Sequence, residues 1–158
     1  MKSVSHVDLP RFMGRWYVIA NIPTRFERGA HNAVESYELA DDGTIRTTFT
    51  FRKGGFGGPA KSFHPRGFVR EGSNNAVWGM RFVWPLKAEY IIAYLAGDYS
   101  ETIIARSARD YVWLMARTHE IPDERYRALL ERVGDLGYDP ARVQRVPQSW
   151  PARGIPDS

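Results

Sequence analysis

An all-β fold, an eight-stranded antiparallel up-and-down barrel with one C-terminal α-helix packed on its outside, is what this sequence predicts. Three observations carry the prediction. Turn-forming residues recur at short intervals, at Asp41-Asp42-Gly43, Gly54 to Pro59, Gly72-Ser73-Asn74-Asn75, Trp84-Pro85 and Gly97-Asp98. Runs of strand length, rich in aromatic and β-branched residues, lie between them. After residue 120 the apolar spacing changes from alternation to a helical period. Strands joined in succession by short loops pair antiparallel, and closing the sheet removes its unpaired edges.

The strands are expected at about 14–22, 33–40, 44–53, 61–69, 76–83, 88–96, 101–107 and 110–117. The first is entered from Asp8-Leu9-Pro10-Arg11-Phe12-Met13 through Gly14, so that Trp16 can fold back over the strand's beginning, with no glycine side chain to block the approach. In strand two Glu35 is in phase with Ala33, Tyr37 and Leu39 and points inward. A carboxylate there needs a partner or water, which makes it either a solvated group at the pocket rim or a ligand for a polar head. Strand three places Ile45, Thr47, Phe49 and Phe51 on the inner face, opposite Arg46, Thr48, Thr50 and Arg52. Strand five gives Trp78, Met80 and Phe82 an inward phase. Strand six offers Tyr90, Ile92 and Tyr94, although both of its faces are apolar and its phase stays open. Strand eight contributes Tyr111, Trp113 and Met115 in phase with Arg117. These rings either fill the barrel as solid core or line a cavity for an apolar chain, and the pattern fits both equally.

The helix is expected over about 122–136, opened by Pro122-Asp123-Glu124 and striped by Tyr126, Leu129, Leu130, Val133 and Leu136. So narrow a stripe suits packing on a barrel better than a membrane surface. From about residue 148 the chain reads as a loose tail, and residues 1–158 read as one domain.

Composition narrows the function. No window approaches the ~18 uninterrupted apolar residues of a membrane-spanning helix. There is no cysteine, hence no disulfide and no thiol nucleophile. Lys plus Arg number 22 against 18 Asp plus Glu, without a basic block, which does not point to nucleic acid. His6, His31, His64 and His119 are scattered, no pair has zinc-site helical spacing, and no Gly-x-Ser-x-Gly elbow is present. No catalytic residue, metal or cofactor is therefore expected. The N-terminus lacks an apolar signal core, leaving a cytoplasmic protein or a chain cut after its signal.

Residues 7–147 resemble the lipocalin family. Gly14-Arg15-Trp16 matches its Gly-x-Trp at the first strand, followed by Pro23-Thr24-Arg25-Phe26-Glu27 for a Pro-x-x-Phe-Glu segment. Gly97-Asp98-Tyr99-Ser100 resembles its Thr-Asp-Tyr turn, and Arg117 its arginine closing the last strand. The likeness is greatest to the bacterial outer-membrane lipocalins. It implies a hollow lumen that binds a fatty acid or lysophospholipid, Arg117 stacked on Trp16 as a plug, and a place in the cell envelope. It also makes a homodimer plausible. The missing cysteine departs from the lipid-anchored members, and Glu35 stands where the family usually has a smaller residue. A lipid-directed enzyme and a filled-barrel interaction module are the alternatives on the same fold. With the plug at one end, Arg25, Arg28, Arg52, Lys53, Lys61, Lys87, Arg106 and Arg109 gather around the open mouth against Glu27, Glu89 and Asp110, which reads either as a generic solvated surface or as attraction to an anionic membrane surface.

Overall fold

The structure, a computed structural model, describes residues 1–83 and 86–151. A short helix α1 (Leu9–Phe12) leads into β1 (Gly14–Ile22), β2 (Ala30–Leu39), β3 (Ile45–Lys53), β4 (Ala60–Phe63), β5 (Arg66–Val69), β6 (Val77–Val83), β7 (Leu86–Leu95), β8 (Glu101–Ala105) and β9 (Val112–Ala116). Helix α2 (Asp123–Asp135) and a two-residue strand β10 (Gln144–Arg145) follow. The strands pair antiparallel in the order β1-β2-β3-β5-β6-β7-β8-β9, with β4 beside β3 and β10 beside β1, and β1 also pairs with β9, so the sheet closes into a barrel. The expected fourth strand is two, because Pro65 interrupts it: β4 and β5 both pair with β3, on either side of His64-Pro65. The expected turn at Trp84-Pro85 lies outside the described residues.

Gly14 takes φ +95, a conformation that strains any residue with a side chain. That, rather than close approach, is what the position demands, since a Cβ there would meet Arg117 Nη1 at an ordinary 3.6 Å. Asp8 caps α1 by accepting from the Arg11 amide, and α1 delivers Phe12 into the lower end of the barrel, wholly buried.

Two apolar clusters divide the residues by face. Inward residues of the strands form one, with Trp16, Phe49, Phe51, Trp78, Met80, Tyr90 and Ile92 among them. Outward residues of β8 and β9, including Ile103, Val112 and Leu114, form the other with Tyr126, Leu129 and Val133 of α2. The helical stripe thus packs on the barrel, contributing on the order of 5 kcal/mol before chain entropy is subtracted.

Residues 148–150 are tied to the barrel, which corrects the expectation of a loose tail there, while its continuation over 152–158 lies outside the described residues. β1 and β2 stay paired only as far as Tyr17 and Val34, and the C-terminal segment enters the gap above that point. β10 pairs with Ala20 and Asn21, Asn32 exchanges hydrogen bonds with Ser149, and Gln148 Nε2 donates to the carbonyls of Val18 (2.9 Å) and Ala33 (3.0 Å). Trp150 packs edge-on against Tyr17. These residues satisfy backbone groups that two separating strands would otherwise leave bare.

Candidate ligand-binding lumen

The barrel floor is built from three distant pieces of sequence. Arg117 follows β9, and its guanidinium carbon lies 3.8 Å from the centre of a Trp16 ring. Its nitrogens donate to the carbonyls of Arg15 (2.8 Å), Arg11 (2.7 Å), Phe12 (3.2 Å) and Tyr99 (3.3 Å). Trp16 Nε1 donates to the same Phe12 carbonyl at 2.9 Å. Tyr99, held at φ +61 in a turn where Asp98 accepts from the Ser100 amide, takes the Asp8 amide on its hydroxyl and carries Arg11 over its ring. The Asp98-Tyr99 turn, Gly14, Trp16 and Arg117 therefore meet at one place.

Above the floor, aromatic rings form two separate groups. Phe12 contacts Trp16, Tyr37 and Trp78 at 5.1–5.6 Å between ring centres, and the chain of contacts continues through Tyr90 to Trp113 and Tyr111. The hydroxyls of Tyr37 and Tyr90 bond to each other across the barrel. Phe49, Phe51 and Phe63 make the second group on β3 and β4, with centres 5.2–6.5 Å apart. Among the described residues no ring contact joins the two groups. Glu35 stands between them, paired with Trp16 on β1 and with Phe49 on β3.

Glu35 is enclosed by protein yet retains some accessible surface. It is not the solvated rim residue that alternation allowed. Its Oε2 is fully covered and has no hydrogen-bond partner. Burial, and second the charge of Glu27, push its carboxyl well above the ordinary 4.5. The buried Tyr37 and Tyr90 hydroxyls are likewise raised, by burial first and the nearby Glu35 second.

Two expected lining residues lie elsewhere. Phe82 is 61% exposed, beyond an irregularity in the β6–β7 register between Met80 and Val83. Tyr94 lies past a register shift between Ile92 and Tyr94, which inserts one residue and turns its ring outward under the guanidinium of Arg132, 4.0 Å away. Phe49, Phe51, Trp78, Met80, Tyr90, Ile92 and Trp113 all belong to the inner cluster.

One residue counted among the mouth's surface charges belongs to the interior. Glu27 is 5% exposed and accepts from Trp113 Nε1 (2.9 Å), Asn21 Nδ2 (3.2 Å), Thr24 Oγ1 (2.8 Å) and the Thr24 amide (3.3 Å). Burial raises its pKa, and these bonds oppose the rise. The signal was in the sequence: Thr24-x-x-Glu27 has the spacing of a capping box, in which a carboxylate reaches back to the first amide. His64 faces solvent, bonded to Ser62 and on the other side of the sheet wall from Glu35, so the two do not form a joint site. Among the described residues no group of three or more His, Cys, Asp or Glu is placed to hold a metal ion.

A family model described as a lipocalin-like domain matches residues 7–148. Temperature-induced lipocalin-1 of Arabidopsis thaliana is 31% identical, over 94% of this chain and 83% of that protein. The outer membrane lipoprotein Blc of Escherichia coli K12 is 27% identical, over 92% and 81% respectively. Among solved structures, insecticyanin from the tobacco hornworm Manduca sexta superposes with a TM-score of 0.75 at 14% identity, covering 98% of this chain and 88% of that one. Apocrustacyanin C2 gives 0.72 at 10% identity, covering 92% and 82%. At such identities these two speak for the fold alone.

Proposed function

The chain belongs to the lipocalin-like family, whose members generally bind small hydrophobic ligands, and from that premise we propose that it holds a single-chain lipid, a fatty acid or lysophospholipid, between the two ring groups of its lumen. The observation that carries this reading is that the inward-facing Glu35 and Trp113 keep accessible surface between two separate groups of rings, above a floor filled by Phe12, Trp16 and Tyr37. Facing rings with few polar groups suit an acyl chain, which has shape and area but little to hydrogen-bond. Binding and carriage, without chemistry on the ligand, is the function that such a site performs.

Tryptophan fluorescence tests this directly, because Trp113 borders the proposed site. Titration with lysophosphatidylcholine is expected to saturate in the micromolar range, about −8 kcal/mol. Phe49→Arg or Met80→Arg is expected to abolish the response. Variants that fold and bind as the parent does would remove the ligand from the barrel.

A second observation favours delivery to a membrane. Phe26, Phe56 and Phe82 are 63%, 40% and 61% exposed, and the antiparallel order places all three at the mouth, among Arg25, Arg28, Lys61 and Lys87. Exposed rings set among cations suit the interface of an anionic bilayer. Residence in the cell envelope accords with the Blc relatives, named as outer membrane lipoproteins. Homodimer formation belongs to the same reading, and sedimentation measures it.

A further inference from the structure

Among the described residues, Glu35 carries the one inward-facing buried side-chain oxygen that has no hydrogen-bond partner. The Tyr37 and Tyr90 hydroxyls bond to each other, one donating and the other accepting. Glu27 has its oxygens filled by Asn21, Trp113 and Thr24. Trp78 Nε1 is spent on the Asn75 carbonyl and Trp16 Nε1 on that of Phe12. Glu35 Oε2, by contrast, is covered and unpartnered between two walls of rings, and no donor from them reaches it. A covered acceptor without a donor carries the full desolvation penalty, and because Glu35 keeps accessible surface, a turn of its carboxyl brings an oxygen to a ligand's donor and relieves it.

Building on the lumen as the ligand site, we propose that Glu35 selects apolar ligands whose leading, buried end bears a hydroxyl, over ligands that lead with a carboxylate. A hydroxyl is neutral, so it enters a ring-lined space cheaply and donates one bond to the carboxyl oxygen. A carboxylate has no hydrogen to donate and would have to shed its hydration to enter between the rings, which a neutral hydroxyl does at far lower cost. Arg117, the cation at the floor, is turned to four backbone carbonyls beneath the ring plug and is not presented to the lumen. For the fatty-acid or lysophospholipid reading the consequence is an orientation. An acid would keep its head at the mouth, whereas a long-chain alcohol would bind hydroxyl-down.

The experiment compares 1-decanol, decanoate and decylamine, equal in chain length, by fluorescence and calorimetry at neutral pH on the parent, Glu35→Leu and Glu35→Gln. The parent is expected to bind decanol about tenfold tighter than decanoate, the worth of one buried hydrogen bond. Glu35→Leu is expected to lose that preference by weakening decanol alone, and Glu35→Gln, which keeps an acceptor, to retain it. Infrared difference spectra of the parent provide a readout that needs no folded leucine variant. Adding decanol is expected to shift a carboxyl C=O band that Glu35→Gln lacks. Equal affinities for decanol and decanoate in the parent, tighter binding of decylamine than of decanol, or a decanol spectrum without that shift would overturn the selection while leaving lumen binding intact. Failure of every probe to bind would overturn the lumen reading itself.

Discussion

Replacing Trp16 and Arg117 singly and together tests whether the barrel floor is held as one unit. Trp16→Ala removes a wholly buried indole and leaves a void, at a cost of about 3–5 kcal/mol. Arg117→Ala removes four donated bonds, two of them at 2.7–2.8 Å. With the guanidinium half-buried, these two are taken at the low end for charged donors, about 1.5 kcal/mol each, and the stacked ring adds about 1 kcal/mol. The single loss is then about 4 kcal/mol. The two losses do not add, because the 3.8 Å stack disappears in either variant and both side chains donate to the Phe12 carbonyl. The expected coupling is about 1 kcal/mol, within a range of roughly 0.5–2 kcal/mol. Urea denaturation of the four proteins, read by far-ultraviolet circular dichroism, measures it. Since the double loss of about 7 kcal/mol rivals the stability of an ordinary domain, a parallel cycle with Trp16→Phe and Arg117→Lys keeps all corners folded. A coupling indistinguishable from zero in both cycles, or an Arg117→Ala cost below about 0.5 kcal/mol, would refute the account of the floor.

Three further expectations follow from other parts of the molecule. Glu35 has a folded-state pKa above 4.5, so the folded protein holds that proton more tightly than the unfolded chain; its contribution is full below pH 4.5 and is lost as pH rises through the folded value. Glu35→Gln, which does not ionise, is therefore expected to gain on the parent in urea midpoint from pH 4.5 upward, and a gap independent of pH would refute this. Vesicle co-sedimentation is expected to rise with anionic lipid and fall with salt; Arg25→Glu with Arg28→Glu should weaken it more than tenfold at about 1 kcal/mol per base, and Phe26→Ser with Phe56→Ser should weaken it on neutral and anionic vesicles alike. The same loss from Arg70→Glu, exposed at the opposite end, would make the mouth irrelevant. Gln148→Ala is expected to cost about 1–2 kcal/mol in chemical denaturation, because Nε2 serves two carbonyls where β1 and β2 part; a cost near zero would mean that the C-terminal segment lies there without supporting the wall.

What the sequence determined by itself is everything that depends on neighbours along the chain. Turn residues mark where strands end, so β1 begins at Gly14 and ends at Ile22 as the punctuation implies. Alternation decides the face of each residue in an unbroken strand, which is why Ile45, Thr47, Phe49 and Phe51 of β3 are all buried while Arg46 is exposed. Helical spacing likewise placed Tyr126, Leu129 and Val133 on one buried side. Only the tertiary structure decided what depends on closure. Bending a sheet into a barrel concentrates twist at a few places, and the register shift beyond Ile92 reverses the phase of β7, so Tyr94 leaves the lumen without any change of local composition. Glu27, in the β1–β2 loop, looks like a surface charge until Asn21 of β1 and Trp113 of β9 supply its donors. The segment 144–150 has no strand pattern of its own and is ordered by the carbonyls and amides that β1 and β2 leave open where they part. Glu35 shows both limits: alternation alone turns it inward, but whether a carboxyl there meets water, a cation or nothing is settled by which side chains arrive from the other strands, and those that arrive are rings.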